Sequence, residues 1–254
     1  TGIAPAPSDL FAYGCRLNHA VPSIDEDVVW LEQSGYIRLR IGRAVMLIDV
    51  APLGPDYLPA HGHADTLSFE LSLDEQRVIV NSGNSRYGLG PEREWERSTA
   101  AHSTVEVDGQ NSSEVWSSFR VARRARPFAI AIRQNDAAIT VEAAHDGYRR
   151  LFGGTVHRRT WSLGMGGLTV CDEVVGRHSS AVARYYFHPL IAIESRDAHG
   201  QLHWHGATAK YSVDTCRARL VKGYYAPAFG VRVDNKCLEL QEAGGRMAFD
   251  LKWA

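Results

Sequence analysis

Residues 67–83, LSFELSLDEQRVIVNSG, decide the fold class of this chain. Apolar and polar side chains alternate on both sides of Asp74-Glu75-Gln76, and this alternation is the period of a half-buried β-strand. The stretch therefore predicts a β-hairpin. Upstream, residues 36–50, YIRLRIGRAVMLIDV, predict another hairpin with a tight turn at Gly42-Arg43.

The same alternation continues to the C-terminus in short segments separated by turn residues such as Gln134-Asn135-Asp136 and Asp234-Asn235-Lys236. Many short strands with turns between them are typical of an antiparallel sandwich or barrel. We predict an all-β fold, an antiparallel two-sheet β-sandwich over residues 34–254. A short helical or crossover segment precedes it in residues 1–33, and residues 1–30 hold the only stretch whose pattern predicts a helix.

The composition limits the classes of function. The chain has 254 residues, of which 44% are hydrophobic and 22% charged, and its formal net charge is -1. This is ordinary for a globular protein and argues against disorder. A net charge near zero and the lack of a recognised motif give no support to nucleic-acid binding. We expect no membrane span, because no apolar run approaches the ~20 residues that cross a bilayer.

The residues best suited to chemistry are histidines. His61-Gly62-His63 places two imidazoles close together, and His102 follows at the start of a predicted strand. A His-x-His with a distant third histidine is a common way to build a metal site. Histidine is also the side chain best suited to move protons near neutral pH. Spacing alone leaves both functions open, together with a surface turn that is only hydrogen-bonded.

Several blocks of sequence occur in the order expected for one family. HGHADTLSFEL at residues 61–71, NSGNSRYG at 81–88 and ERSTAAHSTVEVDG at 96–109 resemble the heparinase II/III-like C-terminal domain. HDGYRRLFGGTVHRR at 145–159 and LTVCDEV at 168–174 are similar to the sandwich of that family. The resemblance covers most of the chain, from about Ser34 onward.

The resemblance implies a polysaccharide lyase that cleaves acidic, uronic-acid-containing polysaccharides by β-elimination. Members join an N-terminal (α/α) toroid to a C-terminal sandwich, with the active site in the cleft between them. Residues 1–33 are then expected to be the end of a truncated toroid and a linker, so that the toroid is the missing partner. The isolated chain is expected to show little activity, because half of the cleft is absent.

The resemblance also implies roles for the histidines. The first histidine of the family motif is catalytic, as a base or as a donor to the sugar carboxylate, and it maps onto His61. A structural Zn²⁺ in several members maps onto His63, Asn81 and His102, although the family has an Asp where this chain has Asn81. An amide binds Zn²⁺ more weakly than a carboxylate. The alternative is a hydrogen-bonded cluster without metal, and Asp65 is expected to point elsewhere.

Tyr87 and Arg97 lie in residues 84–98, a stretch without strand period that faces the cleft in the family. The resemblance implies that both bind substrate. Arg97 would pair with a sugar carboxylate or sulfate, and Tyr87 would stack on or hydrogen-bond to a sugar. For each of the two residues, a purely structural role in supporting the loop is an equally good interpretation.

Two other classes of protein stay open at this point. The first is a carbohydrate-binding or accessory sandwich without catalysis. The second is a metal-dependent cupin, which also uses His-x-His and a later histidine. A cupin has a glutamate a few residues after this motif, and Glu70 lies too far along the chain to fit that spacing well.

Overall fold

The structure is a computed structural model that describes residues 6–19, 25–214 and 216–254. These residues contain two α-helices, Pro7–Arg16 (α1) and Pro91–Glu96 (α2), and two 3₁₀ turns, Thr99–Ala101 and Gly147–Arg150. Neither described α-helix is long and apolar enough to span a bilayer. The strands, numbered β1 to β19 in chain order, are Val28–Leu31, Tyr36–Ile41, Ala44–Asp49, Phe69–Leu73, Gln76–Val80, Val105–Val107, Val115–Trp116, Arg120–Val121, Pro127–Gln134, Ala138–His145, Val156–Gly164, Gly167–Val175, Ala181–Phe187, Ala192–Arg196, His199–Trp204, Ala207–Asp214, Cys216–Tyr225, Val233–Glu242 and Arg246–Trp253.

Two large antiparallel sheets form the body of the chain. The nine-stranded sheet follows the order β1-β2-β3-β4-β5-β13-β18-β17, with β6 beside β13. The eight-stranded sheet follows β14-β15-β16-β19-β12-β11-β10-β9, and β7 pairs with β8 separately. One hydrophobic core takes Phe69 from the first sheet and Trp161 and Phe249 from the second. The predicted all-β sandwich with a short N-terminal helix is confirmed.

Both hairpins expected from the sequence are present. Strands β2 and β3 pair from Tyr36 with Asp49 to Ile41 with Ala44. Gly42 takes the turn with a φ of +54°, a conformation that favours glycine. Strands β4 and β5 form the following hairpin. Strand β1 already pairs with β2, so the nine-stranded sheet begins before residue 34, where the sequence placed the domain boundary.

The stretch 84–98 contains a helix that the sequence pattern did not indicate, because Pro91–Glu96 forms α2. Pro91 lies in the first turn, where its missing N–H costs no hydrogen bond. Helix α2 is too short to show a helical period. Its consequence is that Arg93 and Arg97, four residues apart, project from the same side of the chain.

A buried charged network joins the two sheets. On β11, Arg159 Nε lies 2.6 Å from Asp172 Oδ1 and Arg159 Nη2 lies 2.9 Å from Asp172 Oδ2. Arg159 Nη1 donates to the carbonyl oxygens of Leu67 at 2.9 Å and Ser103 at 2.7 Å. Arg159 and Asp172 are both fully buried. Since Leu67 and Ser103 follow the two histidine segments, one guanidinium sets the spacing between those segments.

Two buried histidines extend this network. His157 Nε2 lies 2.7 Å from Asp172 Oδ1, His145 Nε2 lies 3.2 Å from His157 Nδ1, and the Gly147 N–H donates to His145 Nδ1. If both rings are neutral, all four ring nitrogens of His145 and His157 have a hydrogen-bond partner. Burial lowers the pKa of both histidines. Burial alone would raise the pKa of Asp172, but Arg159 and His157 outweigh it and lower that pKa to about 2.

We predict that Arg159→Met lowers the free energy of unfolding by about 3–5 kcal/mol, because it leaves a buried carboxylate uncompensated. Urea unfolding followed by circular dichroism measures this. The control is Arg133→Met, which breaks an exposed ion pair with Glu142 and should cost less than about 1 kcal/mol. Equal losses in the two variants would contradict the structural importance of the buried network.

A second prediction concerns pH. The folded-state pKa of His157 lies below its unfolded value of about 6.5, so below that pH the unfolded chain binds a proton that the folded chain excludes. The free energy of unfolding should therefore fall as the pH falls, with up to about 1.4 kcal/mol per pH unit from this residue. His157→Gln should flatten the dependence as the pH falls below about 6.5. Unfolding curves across that range test this, and an unchanged slope would refute it.

Candidate functional site

The His61-Gly62-His63 segment lies in the loop between β3 and β4. Gly62 packs against Leu53, and a Cβ at position 62 would lie 2.2 Å from the Cδ2 atom of Leu53. Arg97 Nε donates to the Gly62 carbonyl oxygen at 3.1 Å. The backbone turns here instead of running as a strand, so the side chain of His61 is exposed while that of His63 contacts His102.

His63 lies in a chain of hydrogen bonds. Its Nδ1 lies 3.1 Å from His102 Nε2, and its Nε2 lies 3.2 Å from Arg93 Nη1. His102 Nδ1 lies 2.7 Å from the Ser98 carbonyl oxygen, which can only accept, so this nitrogen carries the proton. His63 Nδ1 then donates to His102, and His63 Nε2 accepts from Arg93. Burial, followed by His102 and Arg93, lowers the pKa of His63 well below its usual value, in agreement with a neutral ring.

Asp65 belongs to the same cluster, and the expectation that it points elsewhere is wrong. Its Oδ2 lies 4.0 Å from His102 Nε2. One ligand atom from each of His63, Asp65 and His102 lies within 4.8 Å of the others. The cause is a turn in which the Ser68 N–H donates to the Asp65 carbonyl oxygen at 2.8 Å. Two imidazoles and a carboxylate are ligands that Zn²⁺ takes, so these residues fit the ion.

Asn81 directly follows β5, and its side chain holds the backbone of the segment that carries His102. The Asn81 Oδ1 accepts a hydrogen bond from the Ser103 N–H at 2.8 Å. Asn81 also lines a cavity of about 300 Å³ together with Asp65, Asp49 and Glu70. The predicted residues His63, Asn81 and His102 therefore lie near one another, but the amide oxygen of Asn81 already has a partner.

The two arginines of the α2 segment are buried beneath the site. Arg97 is 1% exposed and donates to the carbonyl oxygens of Gly62, Trp116 and Ser118. Arg93 Nε also donates to the Ser118 carbonyl oxygen. Burial, followed by the charge of Arg93, lowers the pKa of Arg97 to about 10, which leaves it cationic at neutral pH. Arg97 thus supports the loops, the alternative that the sequence left open for it.

Aromatic side chains surround His61. The ring centroid of His61 lies 5.2 Å from that of Tyr87 and 5.4 Å from that of Phe119. Phe229 lies 5.1 Å from Tyr87. We call Tyr87, Phe119 and Phe229 the aromatic surface, and each is about 40% exposed. The guanidinium of Arg93 lies 5.2 Å from the Tyr87 ring, so a cation supports this surface from below.

Sequence reasoning missed Arg93, Phe119 and Phe229. The four-residue spacing between Arg93 and Arg97 indicates that the two side chains lie on the same side of a helix, but only if the helix α2 is already known. Phe119 and Phe229 lie outside the blocks of sequence that resemble the family and reach the site through loop packing. No local pattern in the sequence indicates such a contact.

The chain is similar to known proteins of one family over most of its length. Residues 24–249 match the family described as heparinase II/III-like, C-terminal. This chain belongs to that family. It is a polysaccharide-lyase-related sandwich domain. No curated protein sequence matches it.

Solved structures of two lyases share the fold. The heparan sulfate lyase HepC from Pedobacter heparinus has a TM-score of 0.76 at 14% identity, over 97% of this chain and 41% of HepC. The heparinase III product of the BT4657 gene has a TM-score of 0.73 at 18% identity, over 97% of this chain and 40% of that protein. This chain therefore spans about two fifths of the length of these lyases. Identities this low show the fold alone.

The different environments of the two histidines lead to a stability prediction. His63→Ala removes the hydrogen bonds of His63 with His102 and Arg93. It leaves the buried Nε2 of His102 without its partner and should cost about 1–3 kcal/mol, or several degrees in Tm. His61→Ala removes an exposed side chain and should stay within about 0.5 kcal/mol. Thermal unfolding in the presence of a chelator measures both without a contribution from metal. A larger loss for His61→Ala would reverse the positions given to the two side chains.

Proposed function

We propose that this chain is the C-terminal sandwich of a polysaccharide lyase that cleaves uronic-acid-containing polysaccharides by β-elimination. The observation that carries the proposal is the exposed His61, which stands beside the aromatic surface on a buried base of charged and histidine side chains. Family membership supports the reaction class. The length of the related proteins supports a further domain in the full-length protein, and the family resemblance implies that this missing partner is an (α/α) toroid.

The reaction breaks the C5–H bond and the C4–O bond of a uronic acid and forms a C4=C5 double bond. A base takes the C5 proton, an acid protonates the leaving oxygen, and donors stabilise the charge that develops on the carboxylate. His61 is suited to act as the base or as a donor to the carboxylate, depending on the stereochemistry of the sugar. The other groups would come from the toroid.

The remaining side chains of the site receive more limited roles. Tyr87 contacts a sugar beside His61, because its ring is part of the aromatic surface. Arg97 acts indirectly, since its guanidinium is buried and bonds to carbonyl oxygens. His63 and His102 would hold a structural Zn²⁺, which would fix the geometry between their two segments. Proton transfer is left to His61.

A non-catalytic carbohydrate-binding domain is the second candidate. Its support is the aromatic surface, since exposed rings that lie side by side offer apolar faces to sugar rings. The two functions differ in outcome, because a binding domain retains the polysaccharide without producing an unsaturated sugar.

We predict that the full-length protein raises ultraviolet absorbance when mixed with at least one of heparin, heparan sulfate, alginate and hyaluronan. His61→Ala in that protein should lower kcat by at least ~10²-fold, the lower limit typical of lost acid–base catalysis. The matched control is His199→Ala, an exposed histidine on β15 of the other sheet, which should keep the wild-type rate.

Two outcomes would count against the lyase. Binding of these polysaccharides without any rise in absorbance would favour the carbohydrate-binding domain. Turnover that survives His61→Ala at the wild-type rate would place the chemistry on other residues.

A further inference from the structure

We infer that the Asp65 carboxylate, and not the Asn81 amide, is the third protein ligand of a zinc ion held by His63 Nδ1 and His102 Nε2. The inference rests on the metal part of the proposed function and names a residue that the family resemblance does not provide. The carboxylate would then come from the loop that carries His61 and His63, and not from the end of β5.

Distances favour Asp65. Ligands at about 2.0–2.2 Å from a tetrahedral Zn²⁺ lie roughly 3–3.5 Å from each other. His63 Nδ1 and His102 Nε2 are 3.1 Å apart and meet this requirement. Asp65 Oδ2 is 4.0 Å from His102 Nε2, so a small rotation of its carboxylate completes the set. Asn81 would first have to give up its bond from the Ser103 N–H.

Charge favours Asp65 more strongly. Arg93 Nη1 lies 3.2 Å from His63 Nε2, and Arg97 Nε lies 3.1 Å from the carbonyl oxygen of Gly62, the residue before His63. If Asn81 were the third ligand, all three protein ligands would be neutral. The charge of Zn²⁺ would then lie beside two guanidinium ions with no negative group to compensate it. Metal-binding residues in low-dielectric surroundings need compensating charge. Asp65 supplies it within the cluster.

Binding of the ion would change the hydrogen bonds of His63. In the hydrogen-bonded arrangement, His63 Nδ1 carries a proton and donates to His102. A metal on Nδ1 requires this proton to move to Nε2, which then no longer accepts the hydrogen bond from Arg93 Nη1. Arg93 Nη1 then keeps its other bond, to Asn84 Oδ1. Two metal–nitrogen bonds would replace the hydrogen bond between His63 and His102. The imidazole of His63 would stay neutral, because its proton only moves from one ring nitrogen to the other.

The Asp65 carboxylate is also accessible to solvent. The side chain of Asp65 is 30% exposed, and it lines the cavity of about 300 Å³ that also contains Asn81. An accessible ligand of this kind is one requirement of a metal site that loads after folding.

The test uses the chain stripped of metal and titrated with Co²⁺, whose absorption spectrum reports its ligands, and with Zn²⁺ by calorimetry. The wild-type chain should bind one equivalent of each. Asp65→Asn should weaken binding by more than ~10-fold, the smallest loss typical of even an outer partner of a metal site. Asn81→Ala should change affinity much less than Asp65→Asn does.

A paired substitution identifies the ligand directly. A thiolate bonded to Co²⁺ adds an intense charge-transfer band, so Asp65→Cys should produce this band and Asn81→Cys should not. Melting temperatures of all variants without metal show that each is folded. Failure of the wild-type chain to bind Co²⁺, a band from Asn81→Cys, or no band from a folded Asp65→Cys variant would each overturn the inference. Because no turnover is measured, a negative lyase assay leaves these outcomes intact.

Discussion

The guanidinium of Arg159 is fully buried, and a buried charge persists only when it is paired and hydrogen-bonded. Asp172 supplies the pairing within the eight-stranded sheet, and the remaining hydrogen bonds reach the carbonyl oxygens of Leu67 and Ser103. These carbonyls follow the segments that carry His63 and His102. The electrostatic requirement of one side chain therefore fixes the geometry of a site on the opposite sheet.

Within the site, the residues that hold the loops are buried, whereas His61 is exposed. Arg93 and Arg97 are buried, and their bonds to His63 Nε2 and to backbone carbonyls hold the loops in place. His61, two residues from His63, is exposed among aromatic rings. A reactive side chain needs a rigid base if its position is to be reproducible. Buried cations and neutral imidazoles provide that base here, whereas a purely apolar core could not orient the loops by hydrogen bonds.

The sequence predicted those features that are encoded locally. Strand alternation at residues 36–50 and 67–83 predicted both hairpins, because a period of two appears within a few residues. Helix α2 could not be predicted by period, since six residues make fewer than two turns. The position of Asp65 depends on a turn that includes Leu67 at a φ of +65°, rare for such a residue. The burial of Arg97 depends on packing against a distant loop, which no local pattern encodes.

The contacts of Arg159 also bear on how the chain folds. Its bonds to Leu67 and Ser103 join residues far apart in sequence, and such contacts form late because long loops must close first. The hairpin of β4 and β5 is local and can form early. The spacing between the two histidine segments would then be reached only when the sheets have docked. A partly folded molecule would contain His63 and His102 but not yet hold them at their final distance. The site would therefore form only in the last stage of folding.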